Sequence, residues 1–366
     1  MKNPQYLLAL HEINGLGPMR LKTLLDFFQD PKLIWEMDIK ELKAIKETNG
    51  ISIPENVLTN LEEFRKTTNL EQILENLDRS RIKWLSFFDD DYPKKLKEIY
   101  DPPIIVYYKG EFEPTDDRAI GVVGTRKITG YGKLVTEKFA KELVASGFTI
   151  VSGLARGVDT QAHRSALESG GRTIAVLGGG LNKIYPPENM KLVDQIIDGQ
   201  GAVVTEFPPE YESLPGNFPA RNRIISGLSL AVLVTEAASD SGSLITARVA
   251  LEQGRDVFAV PGPITSDLSR GPADLIKDGA RLVFEAEEIL EELGMSRIDN
   301  AQLKIDNSQL GENERKVLEA LENENKHIDE IGRELNLNAA ITSATLLKME
   351  ISGLVRNLGG GVYCRI

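Results

Sequence analysis

Gly124-Thr125-Arg126-Lys127, closely followed by Gly130-Tyr131-Gly132, combines residue types that bind anions. Glycine lets a ligand approach the backbone, Thr125 offers a hydroxyl, and the Arg126 guanidinium is a two-pronged fork that matches phosphate. A glycine-punctuated turn with a surface arginine would use the same residues. Their position, after an apolar β-branched run and just before a helix, favours anion binding. Ser152-Gly153-Leu154-Ala155-Arg156-Gly157-Val158-Asp159 repeats the pattern, with Arg156 as its ligand candidate. Gly178-Gly179-Gly180 leaves backbone N–H groups uncovered, and Lys183 near Tyr185 sets a cation beside an aromatic ring. That pairing suits a phosphate and a base, and equally a flexible turn with Tyr185 packed inward. Phe218-Pro219-Ala220-Arg221-Asn222-Arg223 says most: two guanidinium forks, an amide and a ring that can stack on a base. One of the two arginines is expected to pair with a carboxylate such as Glu206, leaving the other available. Ser241-Gly242-Ser243 opens a helix that Ser241 or Ser243 caps, and is either a candidate phosphate seat or an ordinary helix start.

Catalytic chemistry finds less support. Asp159 is expected to cap the helix carrying His163, and the two share a face at i, i+4, which serves acid–base work or a local hydrogen bond; the structural role is preferred. Gly121-x-x-Gly124 is not the dinucleotide fingerprint, and neither the P-loop pattern nor the serine-nucleophile elbow occurs. Three histidines and the single Cys364 supply no metal cluster and no disulfide framework. Asp89-Asp90-Asp91 lacks EF-hand spacing and reads as a solvated loop. No catalytic residue, metal or cofactor is expected.

The elements that must position these loops alternate. Apolar β-branched runs at 120–123, 149–152, 173–177, 202–205, 230–235, 257–260 and 281–284 are separated by helical stretches such as 133–146, 159–169 and 243–253. This is the pattern of an α/β protein with a doubly wound, mostly parallel sheet, in which ligands bind beyond the carboxyl ends of the strands. Each candidate loop follows a strand or opens a helix. Two further strands, 84–88 and 104–108, form an entry segment. Before them, Leu7, Leu8, Leu10 and Ile13, the break Gly15-Leu16-Gly17-Pro18, and Leu21, Leu24, Leu25 and Phe28 read as helix, hairpin turn, helix. After the sheet, three short helices and a hairpin over 353–363 predict a winged helix-turn-helix whose third helix has Lys348 as its only basic residue. That is thin for groove reading, and a protein-docking or structural role fits as well. The predicted domains are 1–75 (small, helical, of helix-hairpin-helix or SAM-like type), 76–294 (the α/β sheet), a polar linker at 295–311, and 312–366 (winged helix).

With 43 Lys+Arg against 55 Asp+Glu, a net charge of −12 and a pI near 5.0, the chain argues at first against a nucleic-acid partner. The distribution weakens that argument. Residues 1–117 carry 16 basic and 22 acidic side chains, 118–288 carry 18 and 20, and 289–366 carry 9 and 13. The central region is nearly neutral, so a local basic pocket is compatible with it. No apolar run approaches the roughly 18 residues of a membrane span, and the opening MKNPQYLLALHEING lacks the regions of a secretory signal, so a cytoplasmic protein is expected.

Read in order, Gly124-Thr125-Arg126, Ser152–Asp159 with Ala162-His163, Thr173–Gly178, Tyr185-Pro186, Phe218–Leu228, Ser241–Ala247 and Val260-Pro261-Gly262 resemble the DNA-processing protein A (DprA/Smf) family. The resemblance covers nearly half of the chain. It implies an extended Rossmann-like domain that binds single-stranded DNA, forms a homodimer and assists loading of the RecA recombinase onto DNA covered by single-strand-binding protein, in transformation and recombination, with no established catalysis. As DNA ligands it implies Gly124, Thr125 and Arg126 (Thr125 replacing a more frequent serine), Arg156, Lys183, Phe218, Arg221, Asn222 and Arg223. Two rivals stand beside it. A nucleotide-binding Rossmann-like hydrolase acting on nucleoside monophosphates would use Glu236 as its base, and a pure adaptor would act through the flanking modules.

Overall fold

A computed structural model describes residues 3–49, 52–199, 201–295, 311–321, 325–351 and 355–365. The chain divides into two compact units, Met1–Ser296 and Arg297–Ile366. Most of the expected linker (296–310), and Gly353 and Leu354 of the expected hairpin, lie outside the described residues.

The first unit opens with six helices: α1 (Pro4–His11), α2 (Pro18–Phe28), α3 (Pro31–Glu36), α4 (Ile39–Asn49), α5 (Glu55–Thr67) and α6 (Leu70–Arg79). Proline at the first turn of α1, α2 and α3 wastes no hydrogen bond, and Gly15, at φ +86°, makes the break that the sequence marks. Leu7, Leu8, Leu10, Leu21 and Leu24 are buried in a core that continues into the sheet at Ile105, Tyr107, Ala175 and Val203.

The sheet has nine strands: β1 (Lys83–Ser86), β2 (Ile105–Gly110), β3 (Ala119–Val123), β4 (Thr149–Ser152), β5 (Thr173–Val176), β6 (Gly201–Thr205), β7 (Ala231–Val234), β8 (Asp256–Ala259) and β9 (Arg281–Leu282). Their order is β1-β2-β6-β5-β4-β3-β7-β8-β9. β1 and β2 join antiparallel at one edge, and the remaining pairings are parallel. Strands β3 to β6 run outward in one direction and β7 returns to the other side of β3. The topological switch point therefore falls between β3 and β7, where a crevice opens beyond the strand ends. Between strands lie α7 (Lys94–Lys97), α8 (Gly130–Ala145), α9 (Val158–Glu168), α10 (Met190–Ile197), α11 (Asn217–Leu228), α12 (Gly242–Glu252), α13 (Arg270–Lys277) and α14 (Ala286–Glu292). Phe139, Leu143, Ala162 and Ile289 bury α8, α9 and α14 in one core cluster, and Ile224, Ile225 and Leu244 bury α11 and α12 in another. Among the described residues no helix is long and apolar enough to cross a membrane.

Two strands stop two residues short of the sequence reading. β1 ends at Ser86 because Ser86 N–H and Oγ–H both donate to Asp89 Oδ2 at 2.8 Å, closing a turn with the first of the three aspartates. β9 ends at Leu282 because Phe284 N–H donates to Glu288 Oε2 at 2.6 Å and leads into α14.

The second unit contains α15 (Glu312–Ala320), β10 (Lys326–His327), α16 (Ile328–Glu334), α17 (Ala339–Ile351), β11 (Val355–Gly359) and β12 (Val362–Arg365), with strand order β10-β12-β11. Val317, Leu318, Ile331, Leu346, Met349, Val355 and Tyr363 form its core. This is the expected winged helix, with one addition: β10 is two polar residues long and carries no apolar alternation that would announce it.

Candidate nucleic-acid interface

A cavity of about 610 Å³ opens at the switch point. Its walls come from the loop after β3 (Val123–Arg126), from Ala155 and Asp159 after β4, from the first turns of α11 (Phe218, Arg221, Asn222), and from Ser241–Ser243 at the start of α12. The β3 loop is held tightly. Thr125 N–H donates to Glu236 O at 2.6 Å, and Thr125 O accepts from Val158 N–H at 3.1 Å. At Gly124 a Cβ would lie 2.6 Å from Glu236 O, so glycine is what lets the β3 and β7 loops touch. Glu236 also fastens the start of α8, accepting from Thr129 N–H (2.9 Å) and Thr129 Oγ1–H (2.6 Å). With Thr125 pinned, Arg126 projects to the surface. Among the described residues it has no hydrogen bond or ion pair, and its guanidinium lies 5.1 Å from the Phe218 ring centroid. Tyr185 stands 6.0 Å from Phe218, with Arg156 5.8 Å from the Tyr185 centroid and ion-paired to Glu188. The result is a pair of neighbouring rings flanked by a cation at each end, along one rim.

Behind the rim lie buried charges. Arg221 is 4% exposed and sits 5.9 Å from the same Phe218 centroid. Its Nη1 donates to Gly153 O and Val176 O, tying the ends of β4 and β5 together, and a Cβ on Gly153 would collide with the guanidinium. Burial lowers the Arg221 pKa to about 10; Asp159 raises it, and the Arg126 charge lowers it further. Asp159 does not cap α9, whose N-cap is Gly157. Instead its Oδ2 accepts from Gly153 N–H (3.1 Å) and Ala155 N–H (3.4 Å), and burial holds its pKa above the usual carboxylate range. His163 faces away from Asp159 to Thr173 Oγ1, 2.6 Å from Nδ1, so the two form no acid–base pair. Among the described residues no group of His, Cys, Asp and Glu is arranged to hold a metal ion.

Residues 83–294 match the family DNA recombination-mediator protein A, and residues 306–361 match the DprA winged helix domain. The chain belongs to the DprA/Smf family. Protein Smf of Synechocystis sp. is 36% identical over 98% of both chains, and the DNA processing protein DprA of Bacillus subtilis is 44% identical over 61% of this chain and 75% of its own. Among solved structures, DprA of Streptococcus pneumoniae superposes with a TM-score of 0.69 at 36% identity, covering 80% of this chain and 99% of that one. DprA of Helicobacter pylori, whose structure was described for its single-stranded DNA binding mode, gives 0.52 at 32% identity, covering 58% and 95%.

Of the residues nominated by the DprA/Smf resemblance, Gly124, Thr125, Arg126, Phe218, Arg221 and Asn222 line the cavity together with Ser241, Gly242 and Ser243, and Arg156 adjoins it on the Tyr185 side. Two others are held elsewhere. Arg223 donates from Nη1 and Nη2 to both Glu206 oxygens (2.5 and 2.7 Å) and from Nε to Asp101 O (3.0 Å), and is ion-paired to Asp101 Oδ2 at 2.8 Å. Burial lowers its pKa, but Glu206 and Asp101 outweigh that and raise it. Lys183 pairs with Glu212 at 3.3 Å outside the cavity wall. Arg223 is thus the arginine that takes Glu206, while Arg221 is not freely available, being buried on backbone carbonyls. Ser241 is the cap of α12, its Oγ accepting from Ser243 N–H. Asp240, also on the wall, carried no sequence signal; Thr246 lies in the Ser241–Ala247 stretch of the resemblance, and Tyr185 had the cation beside it.

Proposed function

We propose that this DprA/Smf protein binds single-stranded DNA through the carboxyl-end cavity and passes it to the RecA recombinase, with DNA covered by single-strand-binding protein as the substrate. The observation that carries the reading is Arg126, unpaired among the described residues and seated on Phe218 at the mouth of that cavity. A guanidinium with nothing to neutralise it beside a half-buried ring is what a phosphate and a base require. The single-stranded DNA binding mode described for the Helicobacter pylori relative supports it, as does the family's description as a recombination mediator. The hydrolase reading loses its base, because both Glu236 oxygens accept hydrogen bonds from Thr129. Homodimer formation and residence in the cytosol belong to the same reading through the family resemblance.

The test replaces Arg126 by Ala in the full chain and measures poly-dT affinity by anisotropy over a salt series. Removing one charge-assisted bond to phosphate should weaken binding about tenfold and flatten the log–log salt slope by about 0.7. The same variant should fail to speed RecA assembly on strands coated with single-strand-binding protein. Unchanged affinity in a protein of unchanged melting temperature and unchanged mass by light scattering would sink the assignment.

A further inference from the structure

A smaller pocket, of about 350 Å³, lies between the N-terminal helices and the sheet, and none of its lining residues lines the cavity at the switch point. Two helices end on it. Glu12 is the C-cap of α1, Ser80 is the C-cap of α6, and both line the pocket. A helix C-terminus carries partial negative charge, so two of them converging on one space favour a cation there. Glu12 adds a full charge. Its carboxylate is half-buried and has no hydrogen bond or ion pair among the described residues, and burial raises its pKa. Neither neighbour can neutralise it. Burial lowers the His11 pKa to about 4, leaving a neutral imidazole whose Nδ1 is 3.3 Å from the Tyr107 hydroxyl, and burial with the Glu12 charge keeps that hydroxyl protonated. Arg79, the cation among the lining residues, is exposed and has no ion pair among the described residues.

We infer that this pocket binds an aliphatic diammonium ion, with one ammonium on Glu12 and the C-termini of α1 and α6 and the other at Glu210 on the sheet side. Glu210 Oε1 accepts from Asn182 Nδ2 at 2.6 Å, which fixes the carboxylate and leaves Oε2 for the ligand. Ile73, Leu77, Pro208 and Pro209 complete the wall with apolar surface that suits methylene groups. A bare metal ion would have no use for that surface, and among the described residues no group of His, Cys, Asp and Glu is arranged to hold one. The volume falls in the range of small-molecule sites. Bound there, the ion ties α1 and α6 to the turn at 208–210 and stabilises the first unit.

The experiment titrates the full chain with putrescine by calorimetry, beside butanediol, which has its length without its charges, and magnesium chloride, which has charge without methylenes. Putrescine should saturate a single site and raise the melting temperature, butanediol should not bind, and magnesium should not displace the amine. Glu12→Gln should weaken putrescine about tenfold or more, as expected for losing a hydrogen bond between charged groups. Glu210→Gln, at an exposed position, should weaken it about threefold. Wild-type affinity in a folded Glu12→Gln protein overturns the site; if that variant does not fold, wild-type affinity in Glu210→Gln overturns it instead. Binding that never saturates, or that magnesium displaces, marks counter-ion condensation on an acidic protein and overturns it as well, as does the absence of any putrescine binding. Strand binding is unaffected by each of these outcomes, since no residue lines both spaces.

Discussion

His163 shows how tightly single residues under the cavity are fixed. Thr173 Oγ1–H donates to Ile150 O at 2.7 Å, so the hydroxyl oxygen is left to accept, and His163 Nδ1 must carry the proton that bonds it. Nε2 is then a bare acceptor without a partner in a dry site, and burial, with the Arg221 charge adding to it, lowers the pKa to about 3. The folded protein refuses a proton that the unfolded chain accepts below about 6.5. Between those values the unfolded state binds more protons, so stability falls as pH drops. Asp159 acts in the opposite sense, because its raised pKa keeps its proton on the folded state to higher pH. His163→Gln preserves a donor to Thr173 and removes only the histidine contribution. Urea midpoints of the two proteins, measured from pH 7 to 4, should diverge below about 6.5, the wild type losing up to about 1.4 kcal/mol per pH unit relative to the variant. Parallel curves would contradict the neutral buried imidazole. That His163 is structural was legible from the lack of metal or nucleophile partners in the sequence; its true partner was not, because Thr173 lies beyond the end of α9, on β5.

At the scale of elements, α11 positions the site. Its first turns place Phe218 and Arg221 at the cavity while Arg223, on the next turn, anchors the helix to Glu206 after β6 and to Asp101 before β2. Both Arg223 and Glu206 are buried, so removing the carboxylate takes away the partner of both Nη groups and leaves only Asp101 at Nε. Glu206→Ala should therefore cost about 3–5 kcal/mol, and Glu206→Gln less, because an amide oxygen still accepts one of the two bonds. Chemical denaturation reads both; a loss below about 1 kcal/mol for Glu206→Ala would mean the pair does not anchor the helix. The sequence could say that one arginine of the motif would find a carboxylate and could not say which, because Asp101 lies 122 residues away and only the folded chain brings it near. Strands were legible where apolar β-branched residues ran together, as in Ile120–Val123. They were not where two polar residues pair by backbone bonds alone, as in Lys326–His327, whose partners on β12 supply the register. Strand order was beyond reach for the same reason: nothing local says that β7 will pair with β3 across 107 intervening residues and so create the crevice.

At the scale of the whole molecule the question is which unit holds DNA. The winged helix would be the ordinary choice, with α17 in a major groove. Its chemistry opposes that. Lys348, the only cation on α17, is bonded to Glu314 at 2.6 Å, and the large hydrophobic side chains that the helix exposes are Ile341 and Leu347. Residues 297–366 carry 9 basic and 11 acidic side chains, so no net field attracts phosphate there. The first unit is acidic as well, but Arg126, Arg156 and Arg221 stand together at one opening, and affinity for a strand follows the local potential where phosphates touch rather than the net charge. Each unit has its own hydrophobic core, so the first can be made alone. A chain ending at Ser296 should therefore bind poly-dT within about twofold of the full protein and with the same salt slope, since the slope counts phosphates neutralised and none is expected in the second unit. A tenfold weaker affinity, or a slope flattened by about 0.7 for each phosphate no longer neutralised, would place DNA on the winged helix and refute the single-unit assignment. The overall charge of −12 bears on a different property. Away from the opening both units repel duplex DNA, so the truncated and full chains should alike fail to retard a duplex at salt concentrations where poly-dT is bound, which restricts binding to strands thin enough to present one nucleotide at a time to the rim.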